Sequence, residues 1–186
     1  MSEPRPPSIA TPPVRWQPEA VDGLGRAGTL HTPHGAVPTP CFMAVGTLGG
    51  LKGITADAAE RLGLGVLLGN TYHLALRPGA EHVHDLGGLH AFSGWRGAML
   101  TDSGGYQVFS LAAQRRIDED GVHFRSHIDG RAFSLTPESS IRCQRLLGAD
   151  IIMAFDECPP SDADPSTLRA SVARTHRWLE RCVAAW

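Results

Sequence analysis

The feature that most narrows the fold is a repeated alternation along the chain. Four short apolar runs, "CFMAVGT", "VLLGNTYHL", "AMLTD" and "ADIIMAFDECPP", have strand length and are separated by stretches with helix punctuation. Thr55 N-caps "TADAAERLG", which Gly63 stops, and a helical turn pattern follows "RPGAEHVHDLGG". "TPESSIRCQRLLG" has Thr136 as N-cap, Pro137 in first position and Gly148 as its stop. Strands alternating with helices predict a parallel sheet with helices outside it, so the fold class is α/β. The runs end in Val45, Asn70, Asp102 and Asp156, and in a (β/α)8 barrel these four ends would converge on one face.

Two segments break the alternation. "RAGTLHTPHGAVPTP" has hairpin character with a turn at His34-Gly35. "RRIDEDGVHFRSHIDGRAFSLT" contains Asp120-Gly121 and Asp129-Gly130, two tight-turn signals that predict an antiparallel hairpin insert. The last helix is capped by Asp164 and opened by Pro165. It carries Leu168, Val172, Thr175, Leu179, Cys182 and Trp186 as an apolar stripe that needs cover. With four strands counted against the eight of a closed barrel, residues 14–186 read as the N-terminal half of a barrel domain rather than a self-contained four-strand domain. Residues 1–13 hold five prolines and no apolar run, which predicts a disordered tail and not a signal peptide.

No run reaches the roughly 18 apolar residues of a membrane span, so the expected setting is the cytoplasm, with no membrane partner. A formal charge of −2 gives no global attraction to nucleic acid. Sixteen of the seventeen basic residues are arginine, so any such partner would use local patches of phosphate-binding forks. Cys41, Cys143, Cys158 and Cys182 lie far apart without a C-x-x-C pair, which predicts small core residues and no metal ligands within the chain. His82 and His84 point to different helix faces. His73, His90, His123 and His127 lack ligand spacing, so none is assigned a catalytic or metal role.

The chemistry concentrates in "MLTDSGGYQVFS". A carboxylate directly after an apolar strand sits at the carboxyl end of the sheet, where α/β proteins place ligands, and this singles out Asp102. Ser103, Gly104 and Gly105 form a loop without bulk, and Tyr106 follows with a flat face able to stack on a planar ring. Asp156 repeats the strand-end placement, beside Glu157 and Cys158. Two such carboxylates can divide labour, one moving protons and the other holding substrate. Each motif alone reads equally well as a cap or turn. A phosphate loop is disfavoured, because the G-x-G-x-x-G and G-K-[ST] patterns are missing.

Taken together, "FMAVGT", "LGNTYHLALRPG", "GGLH", "LTDSGGYQVFSL", "GVHFRSHIDG", "LTPE", "LGADIIMAFDECPP" and "WLERC" resemble the tRNA-guanine transglycosylases in order and spacing, from about residue 26 to 186. The resemblance implies a TIM-barrel pentosyltransferase of queuosine biosynthesis. Such an enzyme exchanges guanine at the tRNA wobble position for 7-aminomethyl-7-deazaguanine by double displacement, through a covalent enzyme–RNA intermediate. It also implies roles: Asp102 as proton acceptor, Ser103, Gly104, Gly105 and Tyr106 as substrate loop, and Asp156 as base-recognition carboxylate. Val45, Leu68, Asn70, Gln107 and Cys158 match residues lining the base and ribose pocket. The implied partners are tRNA, guanine and 7-deazaguanine bases, and a second copy in a homodimer of the full-length enzyme. The implied cofactor is Zn²⁺ on a Cys/Cys/Cys/His site. Those ligands and the nucleophilic aspartate belong to the family's sequence beyond the part matching residue 186, so the isolated chain is expected to be inactive. The competing expectations are a non-catalytic tRNA-binding accessory subunit of the same fold and an unrelated barrel hydrolase.

Overall fold

The computed structural model describes residues 14–111 and 115–186. The expected tail over residues 1–13 lies outside them. Arg15–Asp22 (β1), Gly25–Thr32 (β2) and Gly35–Thr39 (β3) form an antiparallel sheet in that order. β1 has no counterpart in the sequence reading. It is exposed along its whole length and irregular between Pro18 and Ala20, so no alternation marks it. Trp16 ties it across the sheet by donating Nε1–H to Thr39 Oγ1 at 3.0 Å. The β2–β3 turn is centred on Pro33 and His34, one residue before the expected pair, because Thr32 pairs with Gly35. Thr32 Oγ1 locks it, accepting from His34 N at 3.2 Å and donating to the Gly35 carbonyl at 3.0 Å.

The chain then enters the alternation. Met43–Val45 (β4) leads to Ala56–Arg61 (α1), and Val66–Gly69 (β5) to the short helices Thr71–Leu76 (α2), Ala80–Asp85 (α3) and Gly88–Ser93 (α4). Pro78 and Gly79, the latter at φ of 106°, part α2 from α3, and Gly87 and Gly88, at φ of 94° and 84°, part α3 from α4, so three short helices stand where one helical pattern was expected. Ala98–Thr101 (β6) is followed by Gly105–Leu111 (α5). Arg115–Ile117 (β7), Val122–Arg125 (β8) and Ala132–Leu135 (β9) are the antiparallel insert, joined by the two turns read from Asp120-Gly121 and Asp129-Gly130. Pro137–Leu147 (α6), Ile151–Ile152 (β10) and Pro165–Ala185 (α7) complete the chain. Thr136 and Ser139 form a reciprocal capping box on α6, Gly148 ends it left-handed, and Asp164 caps α7 through the amides of Ser166 and Thr167.

β4, β5, β6 and β10 make a parallel sheet whose spatial order follows their order in the chain, with β10 beside β6 after the antiparallel insert. Side chains alternate across it. Ala44, Leu67 and Met99 face the helices, where Leu74, Val83, Leu89, Trp95 and Leu147 are buried. At about 2 kcal/mol per buried large aliphatic side chain, this layer is the main apolar support of the sheet. The other face, through Val66, Ala98 and Leu100, is covered by Val37 of β3. Beyond that cover, Met43, Val45 and Met153 stay exposed. The α/β class therefore holds, as four parallel strands flanked by two antiparallel sheets.

The fourth strand differs from its expectation, since ladder pairing stops at Ile152, well before Asp156. Side chains replace the ladder. Gln144, fully buried on α6, accepts from Met153 N at 2.9 Å and donates to the Met153 carbonyl at 2.8 Å. Cys182 Sγ receives Phe155 N at 3.3 Å, and Thr175 Oγ1 receives Glu157 N at 3.1 Å, both from α7. The stripe on α7 also splits. Ser171, Trp178 and Cys182 form the buried face, whereas Leu168, Val172, Leu179 and Trp186 are exposed.

Candidate active site

Asp102 follows β6, and its carboxylate turns toward the start of α2. Thr71 N donates to Oδ1 at 2.8 Å and Asn70 Nδ2 to Oδ2 at 2.5 Å, while Thr71 Oγ1 donates to the Asp102 carbonyl at 2.5 Å. Asn70 is held in turn, because its Oδ1 caps α2 by accepting from His73 N at 3.1 Å. That cap leaves only the amide nitrogen of Asn70 for the aspartate, which sets the orientation of the pair. Burial raises the Asp102 carboxyl above the usual carboxylate range. The amides of Thr71 and Gly104 and the Gln107 side chain oppose the shift, and the charge of Asp156 adds to it.

Asp156 is held by the loop that follows Asp102. Ser103 Oγ donates to Asp156 Oδ1 at 2.6 Å and accepts from Gly105 N at 3.1 Å. Ser140 of α6 donates to the Ser103 carbonyl at 2.8 Å, so the loop is anchored from below. Gly105 has to be glycine here, since a Cβ would stand 2.5 Å from the Asp156 carbonyl oxygen and 3.0 Å from its Oδ1. Gly104 has φ of +84°, a backbone conformation that suits glycine. Beyond Asp156, Glu157 is paired with Arg174 of α7 at 2.5 Å. Burial raises the Cys158 thiol, and the Asp156 charge adds to that effect.

The sequence-derived residues fall into three groups. Asn70, Asp102, Ser103, Gly104, Gly105, Gln107 and Asp156 are joined through the contacts above. Val45 and Leu68 are paired neighbours on β4 and β5 and stand beside Asn70, with Val45 59% exposed on the open face. Tyr106 lies on the first turn of α5 and not in the loop, because Gly105 already begins the helix, and its ring is 59% exposed. Gln107 Oε1 is buried and has no hydrogen-bond partner among the described residues, an exception to the rule that buried polar atoms are paired.

Thr71, Ser140, Gln144 and Thr175 support the site but were missed by the sequence reading. Only Thr71 left a signal, as the neighbour of Asn70 in "GNTYH"; the other three act across long sequence separations. Two surface cavities of about 640 and 310 Å³ lie elsewhere, one lined by Ala75, Arg131 and Cys143, the other by Gly49, Leu51 and Trp95. Val45, Tyr106 and Met153 are exposed, and the chemistry of the Asp102 site outweighs cavity size as a guide. The cysteines also sort themselves. Cys143 and Cys182 are buried as expected, and burial pushes the Cys143 thiol up to about 12, but Cys41 is exposed on the loop before β4. None of them joins a cluster of three possible metal ligands among the described residues, so these residues do not fit a thiolate zinc site.

The geometry is thus a raised-pKa carboxyl and an acceptor carboxylate, held by adjacent elements at the carboxyl ends of neighbouring strands. Comparison with known proteins identifies the family. The family described as queuine tRNA-ribosyltransferase matches residues 22–186. A queuine tRNA-ribosyltransferase of Thermus thermophilus is 60% identical over 173 residues, covering 93% of this chain and 45% of that protein. Those of Gluconacetobacter diazotrophicus and Geobacillus kaustophilus are 55% and 54% identical, covering 92% and 86% of this chain and 44% and 42% of theirs. The chain spans less than half the length of these relatives and matches their N-terminal half. On the match over residues 22–186, the chain belongs to the queuine tRNA-ribosyltransferase family.

Proposed function

We propose that this chain supplies the base-recognition and proton-handling part of an enzyme that exchanges guanine in tRNA for a 7-deazaguanine, 7-aminomethyl-7-deazaguanine in the bacterial case. The single observation that carries this reading is the coupled pair Asp102 and Asp156, held 2.5 Å from Asn70 on one side and 2.6 Å from Ser103 on the other. A guanine edge presents N1–H and an exocyclic amine, and a carboxylate such as Asp156 accepts both. Tyr106 offers an exposed ring face to a base that has left the stack.

Breaking the glycosidic bond develops oxocarbenium character at the ribose, and exchange needs an attacking carboxylate with an acid–base partner. Asp102 has the partner's properties. Burial raises its carboxyl above its ordinary value, which favours its taking a proton from the incoming base and returning one to the departing guanine. The nucleophile is assigned, by the resemblance, to the family's sequence after the matched segment. The same reading makes β4, β5, β6 and β10 the first strands of a (β/α)8 barrel over residues 14–186, supported by their unreversed order and by helices on one sheet face. The exposed Met43, Val45 and Met153 then face the barrel interior. The resemblance also assigns the whole enzyme its zinc site, outside the described residues, and a homodimeric state.

A segment exchange tests the reading. This chain, put in place of the matching 173 residues of the Thermus thermophilus relative, is expected to support incorporation of labelled guanine into tRNA. Asp102→Ala in that chimera is expected to lower incorporation by about 10²-fold or more. A folded chimera without exchange, or one indifferent to Asp102→Ala, contradicts the assignment.

A further inference from the structure

Three side chains converge at the end of the parallel sheet opposite Asp102. His34 sits in the β2–β3 turn, His90 lies on α4, and Asp150 stands just ahead of β10. His34 Nδ1 is 2.7 Å from Asp150 Oδ1, and His90 Nε2 is 3.5 Å from Asp150 Oδ2. The two imidazoles stack with centroids 3.5 Å apart and planes at 14°. One ligand atom from each of the three residues lies within 4.8 Å of the others. The Asp150 side chain is 1% exposed, and its ion-pair partners among the described residues are these two histidines.

We propose that His34, His90 and Asp150 bind one divalent transition-metal ion of the zinc type, pinning the hairpin turn and α4 to the amino end of the parallel sheet. Two imidazoles and a carboxylate are a donor set that zinc accepts, with water in the fourth position. At metal–ligand bonds of about 2.0–2.1 Å, tetrahedral donors stand roughly 3.3–3.4 Å apart, which the three ligand atoms, all within 4.8 Å of one another, reach with small side-chain movements.

The buried carboxylate has no guanidinium or ammonium partner among the described residues, so a dication neutralises it without relying on imidazole protonation. Asp150 is also oriented from behind, since Met99 N donates to Oδ2 at 2.9 Å, the kind of supporting contact that metal ligands carry. Binding requires the stacked rings to fan apart and His90 Nε2 to leave the Gly97 carbonyl, 3.1 Å away. His34 has room for this, because its side chain is 38% exposed on a turn. The set contains no thiolate, which separates it from the cysteine-rich zinc site of the resemblance.

Cobalt substitution followed by optical spectroscopy, with zinc titration by equilibrium dialysis, tests the site on the 186-residue chain. One equivalent of Co²⁺ is expected, with visible d–d bands of tetrahedral or five-coordinate nitrogen–oxygen ligation and no thiolate charge-transfer band. His34→Ala and His90→Ala, each compared as folded protein by circular dichroism, are each expected to weaken Co²⁺ and Zn²⁺ binding by at least about tenfold. Zinc should raise the melting temperature of the parent chain and leave that of His34→Ala unmoved. Stoichiometric binding that survives both substitutions, thiolate bands, or no binding by the folded parent chain would each overturn the proposal. This outcome is independent of guanine exchange, which uses the other end of the sheet.

Discussion

At the scale of single residues, Asp102 is the carboxyl of the site whose pKa burial raises. Desolvation favours its neutral form, so its native pKa lies above that of the unfolded chain. As pH falls through the raised native pKa, the folded state therefore takes up a proton before the unfolded state does, and stability rises. The gain is complete below the unfolded value near 3.9 and is lost as pH climbs back through the native pKa. Asp102→Asn removes that proton. Paired denaturant titrations across this window are expected to show the wild type gaining on the variant as pH is lowered, and a pH-independent difference would contradict the burial argument. Position alone identified Asp102 and Asp156 in the sequence, as acids after apolar runs. Their partners were not legible, because Asn70 to Asp102 and Ser103 to Asp156 span 32 and 53 residues.

Among elements, β10 shows how local pattern and tertiary contact divide the work. "ADIIMAF" reads as a full strand, yet as the edge strand it pairs with β6 over Ile151 and Ile152 only. Gln144 then acts as a substitute ladder: it bonds both backbone groups of Met153, accepts from Thr101 Oγ1 at 3.0 Å and donates to Ser140 Oγ at 3.2 Å. Nothing in the α6 pattern distinguishes this buried glutamine from an exposed one, so the sequence could not announce it. Gln144→Leu keeps the volume and strands those buried groups. At about 1–3 kcal/mol for each unsatisfied group, a loss of roughly 2–5 kcal/mol is expected in urea unfolding, together with displacement of Asp156. A change under about 1 kcal/mol would mean that the strand end is held by α7 alone. Four caps were legible: Thr55, Thr136, Gly148 and Asp164 act where the sequence puts them, because capping is settled within three or four residues, whereas the Asn70 cap on α2 was not read.

For the molecule as a whole, the order of strands was legible and the disposition of apolar surface was not. Alternating runs sufficed for a parallel sheet, since consecutive βα units place each strand beside the last. The exposed strand β1 and the rotation of α7 that buries Ser171, Trp178 and Cys182 depend on surfaces far away in sequence. The His34, His90 and Asp150 cluster is another case, assembled from three separate elements and invisible to any spacing rule. What the whole arrangement achieves is a base under two acids, with helices on one face and β3 on the other. The central claim is that this site recognises guanine through Asp156. Calorimetric titration of guanine into the chain and into its Asp156→Asn form measures that directly. The predicted result is saturable binding that falls at least about tenfold in the variant, because one carboxylate acceptor becomes a donor facing the guanine amine. Equal affinity in two equally folded proteins, or no binding by the parent chain, would contradict it.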